Sequence, residues 1–282
     1  MKGKNLLMIA AIAILTGAGC NNDNKKKEQG REAVAAEKPQ TITNYELYPF
    51  MLGGVYFFHG YGGPAAVYDR LIKPMVQGQP GDSSFSTTLQ SAYSRYFVFP
   101  FKPEDDKDGK EAKATLADYW DIHDKAGLEQ SLTWLLEEGH QAQYARYRKA
   151  IDENGGKDAD LSKVDMAKYG FSAKDKDGLE FVKAHYTSFS TAGIKAWDLA
   201  RYINNICIAY QAGYFVRGEA VAWLQKAPLI ARKAYSDWKT YFNDFLLGRE
   251  FWGGGVTDNE QYKKEVDGLL EGEYSIYQYL SF

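Results

Sequence analysis

From Leu116 to the C-terminus the apolar residues of this chain recur every three or four positions, and alternating runs are few. That spacing places one face of each segment against a core in an α-helix and does not suit a strand. The clearest stretch carries Trp238, Phe242, Phe245, Arg249 and Trp252 at such intervals, with Ser236 as the expected cap and Gly253 to Gly255 as the stop. Thr191 to Gln211 reads as a long helix ended by Gly213, and Glu219 to Lys233 as another. Further helices are expected over Ala112–Trp120, from an Asp124 cap to Gly139, over Gln141–Asn154, near Leu179–Tyr186 and over Asn259–Leu270. The expectation is an all-α fold, with a minor β-hairpin or extended segment near residues 93–101.

Nearer the N-terminus, Tyr45–Tyr61 reads as a buried helix and Ala65–Met75 as a short one. Gln77–Ser84 and the charged stretch Lys102–Lys113 read as loops. The 21 tyrosines and six tryptophans fall mostly at helical spacing, which implies an aromatic core with tyrosine hydroxyls at its wet edge.

The first residues point to export. Lys2 and Lys4 precede an apolar run, Leu6 to Leu15, whose ten residues are too few to span about 30 Å of hydrocarbon as a helix. Thr16, Gly17, Ala18 and Gly19 then lead to Cys20, which resembles a bacterial lipobox, where the thiol is acylated and becomes the new N-terminus. Gly17 stands where that motif usually has an aliphatic residue, so an ordinary signal-peptidase cut after Ala18 is the alternative. Asn21–Lys38 is polar and nearly free of large apolar residues, as a solvated tether should be. Three parts are therefore expected: a signal at 1–19, a lipidated cysteine and tether at 20–44, and a globular domain at 45–282. Asn21 rather than aspartate after the cysteine favours the outer membrane in a diderm host.

Net charge is −3 for the whole chain, and −5 once Lys2 and Lys4 leave with the signal. Such a balance lacks the basic footprint of a nucleic-acid binder. Besides Cys20 there is only Cys207, between Ile206 and Ile208, which reads as a buried inert thiol rather than a nucleophile.

The search for chemistry yields little. His59, Gly60, Tyr61, Gly62 and Gly63 are faintly similar to the oxyanion loop of esterases, but no serine sits in a G-x-S-x-G elbow. His59, His123, His140 and His185 never fall three or four apart, so no single helix turn presents two metal ligands. The acidic loops around Asp106 and Asp175 lack a glutamate at the twelfth position of a calcium loop. Glu137 and Glu138 are adjacent on a helix, so they diverge by about 100° and form no dyad. No nucleotide fingerprint is present, and no cofactor is expected.

One polar group interrupts the long helix. Asp198, Arg201 and Asn205 lie at i, i+3 and i+7 on one face, beside Ile194, Trp197 and Ile206. A buried carboxylate needs a cation, so Asp198 is expected to pair with Arg201, with Arg249 from a later helix, or with both. A ligand site at the same cluster, with Trp252 at its edge, is the functional alternative.

The same segments resemble a known family. Ala196, Trp197, Asp198 and Arg201, then Ala212, Gly213, Tyr214, Glu219 and Ala220, are similar to the central motif of the domain-of-unknown-function family 1266. Ser236 and Trp238 fit the next element with one extra residue, Asp237, between them, and Gly248, Arg249, Phe251 and Trp252 resemble its ending. Upstream, Tyr119–Ile122 and Leu132, Trp134, Leu135, Leu136, Gly139 and His140 resemble it too. The resemblance covers 116–252, with an insertion-like stretch near 157–176, and implies a helical bacterial domain without an assigned activity.

Two functions are therefore expected to compete. The first is a non-catalytic envelope domain that binds an unknown protein partner, as an accessory or immunity-type protein, held to the membrane by its lipid. The second is a small-ligand or glycan binder using Tyr56, Tyr61 or Tyr93 as stacking platforms.

Overall fold

The computed structural model describes residues 42–100 and 106–282, and within them the fold is helical, without a strand. The chain forms α1 (Tyr48–Leu52), α2 (Gly54–Gly60), α3 (Pro64–Val67), α4 (Ser83–Phe97), α5 (Asp106–Trp120), α6 (Lys125–Glu137) and α7 (Gln141–Glu153). It continues through α8 (Lys176–Ala184), α9 (Lys195–Gln211), α10 (Arg217–Leu224), α11 (Ala227–Ala234), α12 (Trp238–Phe251) and α13 (Val256–Glu271).

The long helix α9 is the axle. Every residue from Ala196 to Ala209 is buried, polar ones included. Helices α1, α2, α5, α6, α10, α11 and α12 all pack on it. Hence apolar residues occupy every side of it, as in a helix with no solvent face, and its four buried polar residues, Asp198, Arg201, Asn204 and Asn205, are the exception. A second, smaller cluster fills the space between α7 and α8 with Tyr144, Tyr147, Phe171, Leu179, Val182 and Phe189, and it receives the 157–176 stretch.

Several boundaries differ from expectation, each for a local reason. Residues 93–97 are the last turns of α4 rather than an extended segment, and Val98–Pro100 leave it as bends, with Phe99 at φ 53°. The charged stretch from Asp106 belongs to α5, because charges at helical spacing suit a solvated face; the remainder, 101–105, lies outside the described residues. The expected helix Glu219–Lys233 is two, since Pro228 lacks an N–H and sits in the first turn of α11, where none is needed. Asp237, not Ser236, caps α12, accepting from the Thr240 amide at 2.7 Å, whereas Asp124 caps α6 as expected. Asp237, the extra residue between Ser236 and Trp238, is thus the cap itself.

The Tyr45–Tyr61 segment is also divided. Gly53 separates α1 from α2, and a Cβ there would lie 2.8 Å from Ile203 Cγ2 on α9. The break strands carbonyls at the end of α1 inside the core. Tyr241 donates its hydroxyl to Leu52 O at 2.7 Å, and Tyr277 donates to Met51 O at 2.8 Å. Tyr202, Tyr68 and Tyr93 serve the carbonyls of Trp223, Gly268 and Tyr274 in the same way. So the tyrosine hydroxyls are not at a wet edge: many are buried, and they satisfy backbone groups where helices stop.

The ends of the described chain meet. Ile42 is buried and pairs in parallel with Leu280: its amide donates to Tyr279 O at 2.7 Å, and the Ser281 amide donates to Ile42 O at 3.0 Å. The packed chain thus includes Ile42, within the stretch expected to be tether. Trp238 Nε1 holds Leu280 O, and the Phe282 ring packs among Tyr48, Tyr235, Trp238 and Tyr241.

Candidate functional site

Helix α7 begins without a capping residue of its own: Gly139, His140 and Gln141 precede or open it, and none is Ser, Thr, Asp or Asn. The cap comes from α9. Asp198 accepts from the backbone amides of His140 at 3.1 Å and Gln141 at 2.9 Å. In return, Gln141 Oε1 accepts from the Ile194 amide at 2.8 Å, at the start of α9. Gly139 makes this approach possible, with φ +58° and no Cβ; a Cβ there would lie 2.2 Å from Asp198 Oδ2.

The third group on Asp198 is Arg201, one turn along, with which it forms a buried ion pair. Burial raises the Asp198 carboxyl, but the Arg201 charge and the two amides together hold it below the ordinary carboxylate range. It is therefore ionised at neutral pH, with its oxygens committed to these donors. Arg201 also donates to His140 Nδ1 at 2.7 Å. A guanidinium can only donate, so Nδ1 accepts, and the neutral ring carries its proton on Nε2. Burial lowers the His140 pKa and the Arg201 charge lowers it further, with Asp198 pulling the other way.

Tryptophans surround this node. The Arg201 guanidinium lies 4.6 Å from the Trp197 ring and 5.5 Å from that of Trp120. Trp197 contacts Trp252 at 5.9 Å, and His140 contacts Trp134 edge-on at 5.2 Å. Trp134 and Trp252 are 38% and 43% exposed, so the cluster reaches the surface at both ends. Below it, the Trp197 indole N–H, Asn204 Oδ1 and both polar atoms of Asn205 are buried without a partner among the described residues. Asn205 thus shares the face of Asp198 and Arg201 but joins neither.

Arg249 does not reach Asp198. It pairs instead with Asn259, lies 3.8 Å from Asp258, and packs over the Tyr262 ring at 4.3 Å, so it fastens α12 to α13. The close packing of Trp197 on α12 explains the separation: Gly248 meets the Trp197 Cβ, and the indole, not a guanidinium, fills the gap. On the other side of this region His59 bonds to buried Glu265 at 2.9 Å and stacks on Tyr262 at 4.9 Å.

Of the residues expected at a site, Trp197, Asp198, Arg201 and Trp252 come together, Arg249 sits nearby on other partners, and Asn205 is unengaged. His140 and Trp134 were not counted among them. The signal for His140 was present: a helix opening with no cap of its own needs one from elsewhere. The rings proposed as stacking platforms are not available, since Tyr56 and Tyr93 are buried and Tyr61 is part-buried against Phe97. Glu137 and Glu138 are both exposed, and Cys207 is buried, with its thiol pKa pushed well up by burial. Among the described residues no three His, Cys, Asp or Glu side chains converge on a metal position. Cys20 lies outside the described residues, and within them no helix is long and apolar enough to cross a membrane. A groove of about 490 Å³ lies along α7 between Tyr144, Arg148, Asp152 and Phe189.

Together these observations define an all-helical domain centred on a buried acid–guanidinium node that joins α7 to α9 under a tryptophan rim. Residues 115–282 match the family described as "Protein of unknown function (DUF1266)", and the chain belongs to that family. The match runs past Trp252 to Phe282, because α13 and the terminal residues complete the core around α12. A curated relative, "Uncharacterized protein YbeR" of Escherichia coli (strain K12), is 25% identical over 167 residues, covering 56% of this chain and 65% of that protein. The chain therefore spans a little under two thirds of that relative. No solved structure matches.

Proposed function

We propose that this is a lipoprotein of the bacterial cell envelope, held through Cys20, whose helical domain binds a protein partner without catalysis. The tryptophan-rimmed face is the recognition surface. One observation carries this reading: motifs more than a hundred residues apart in sequence, Tyr119–Ile122, Trp134–His140, Trp197–Arg201 and Gly248–Trp252, converge on one node, and two of their largest rings stay exposed. A large ring left open beside buried ones is the usual anchor of a protein interface. Asp198 supports the non-catalytic part of the reading. A carboxylate already accepting from two amides and a guanidinium is occupied in holding structure, not placed to exchange a proton.

The test is affinity capture from native membranes with the intact protein and with a Trp134→Ser/Trp252→Ser variant. A stoichiometric partner retained by the first and lost by the second, at unchanged melting temperature, is expected. Identical partners for both, or none for either, would overturn the assignment of this face. The glycan-binding alternative has lost the tyrosines on which it rested.

A further inference from the structure

A different surface lies where the chain enters the fold. Leu229, on α11, is 79% exposed, Tyr45 is 70% exposed and Val216 is 68% exposed, the most open large apolar side chains on this side of the molecule. They are linked through their neighbours: Arg232 of α11 lies 5.7 Å from the Tyr45 ring, and Glu46 lies 3.7 Å from Arg217, which follows Val216. These links place the three in one region of the surface.

Cations outnumber carboxylates around the patch, where Glu46 lies against Arg217. Residues 216–235 hold Arg217, Lys226, Arg232 and Lys233 against a single carboxylate, Glu219, in a chain whose net charge is −3. Glu219 is already paired with Lys125 and with the Val216 amide. Lys226, the residue before α11, and Leu229 and Lys233 on it fall at i, i+3 and i+7, so the most exposed leucine lies between two lysines, with Arg232 beside them; the Lys226 ammonium rests over the Trp223 ring. An apolar tip inside a ring of long cationic side chains is suited to neither a protein core nor water. It is suited to the boundary of a bilayer, where leucine enters the acyl region and ammonium groups stay at the phosphates.

We propose that the face formed by Tyr45, Val216 and α11 docks on an anionic phospholipid surface. The inference rests on the lipid-anchor reading of Cys20, and the path of the chain agrees with it. Ile42, where the described residues begin, lies three positions before Tyr45, so an anchor at Cys20 joins the fold beside this face. The tryptophan rim, on α6 and α12, is then left for the partner. Basic residues near an anionic surface act over about a Debye length, so the docking weakens with salt.

The full chain can be reconstituted through its own lipid into vesicles of phosphatidylcholine, with or without about one quarter phosphatidylglycerol. An environment-sensitive fluorophore is placed on Leu229→Cys, with Lys174→Cys, exposed before α8, as the control; Cys207 is buried and does not compete. Expected are a blue shift and quenching by brominated lipid at position 229 in the anionic vesicles only. Both should be lost in a Lys226→Glu/Lys233→Glu background and at high salt, with no change at 174. Protein that floats with the vesicles while position 229 stays water-like overturns the docking and leaves the anchor standing. Protein that does not float at all overturns the anchor and the docking with it. A blue shift that persists in pure phosphatidylcholine and grows with protein concentration assigns the face to a second copy and also overturns the proposal.

Discussion

Asp198 and Gln141 each hold the helix that carries the other. The carboxylate of Asp198, on α9, accepts the Gln141 amide at 2.9 Å, and the side-chain oxygen of Gln141, opening α7, accepts the amide of Ile194 at 2.8 Å. Neither helix supplies its own N-cap, so each start is stable only while the other is in place. This exchange joins the main core to the smaller aromatic cluster between α7 and α8.

Removing the acid should therefore cost more than a surface charge would. Asp198→Ala leaves Arg201 buried without its counter-charge and two helical amides without an acceptor, a change of about 3–5 kcal/mol. Glu137→Ala, on an exposed carboxylate, should stay within about 0.5 kcal/mol. Urea denaturation followed by circular dichroism measures both. An Asp198→Ala protein of wild-type stability that no longer binds its partner would show the node to be functional instead.

The position before it is equally constrained. Gly139→Ala meets both a positive φ and the Asp198 carboxylate, so α7 must move off its cap. The expected loss is at least about 1–3 kcal/mol, as for strained backbone generally. Hydrogen exchange should then rise first at the start of α7; uniform destabilisation without that local signature would argue against the shared cap.

Acid should loosen the same place. Burial and Arg201 make folded His140 harder to protonate than a free imidazole, so on acidification the unfolded chain takes up that proton first. The stability this neutral ring contributes is complete above the unfolded value of about 6.5 and drains away as pH falls through the lower folded value. Asp198, also held low, adds a second loss at more acid pH, from about 3.9 downwards. Thermal melts from neutral to pH 5 should decline less steeply in His140→Gln than in the wild type. Parallel profiles would mean that the ring takes up its proton equally in the folded and unfolded chain, and a steeper decline in the variant would mean that it is already charged in the fold.

Tyr277→Phe tests the capping of α1 from a distance. It deletes only the hydroxyl that satisfies Met51 O, and a buried carbonyl left bare costs about 1–3 kcal/mol. Gly54→Ala should be worse, because a Cβ there would lie 1.9 Å from the same oxygen. If the double variant is more stable than Gly54→Ala alone, the clash is with that hydroxyl; strict additivity would place it elsewhere.

At the other end of the chain, labelled fatty acid should enter the wild type and not Cys20→Ser, which should also leave the membrane fraction. Equal labelling of the two, or a wild type found free of membranes, removes the anchor.

Periodicity made the helices from Leu116 onward legible, because each needs one apolar face and the spacing of rings such as Trp238, Phe242 and Phe245 records it. What it could not record was where a buried segment stops. Pro228 splits one apolar run through its own missing N–H, but at Gly53 the reason lies in neighbours: Ile203 pressing on the glycine and a tyrosine hydroxyl arriving from far along the chain. The same limit applied at the polar node. Asp198 and Arg201 share a helix face, so their pairing followed from spacing alone. The choice between Arg201 and Arg249 turned on an indole, Trp197, filling the gap to α12, and the part of His140 on a missing cap in a helix not yet placed.

The pairing of Ile42 with Leu280 also constrains the order in which the fold can close. Tyr48 and Met51 lie near one end of the described residues, and the Tyr277 hydroxyl that closes α1 and the Phe282 ring that packs on Tyr48 lie near the other. Contacts of such high sequence separation form slowly, because the loop between them must close first. A product cut short before residue 276 would therefore leave this side of α1 bare, however complete its other helices were.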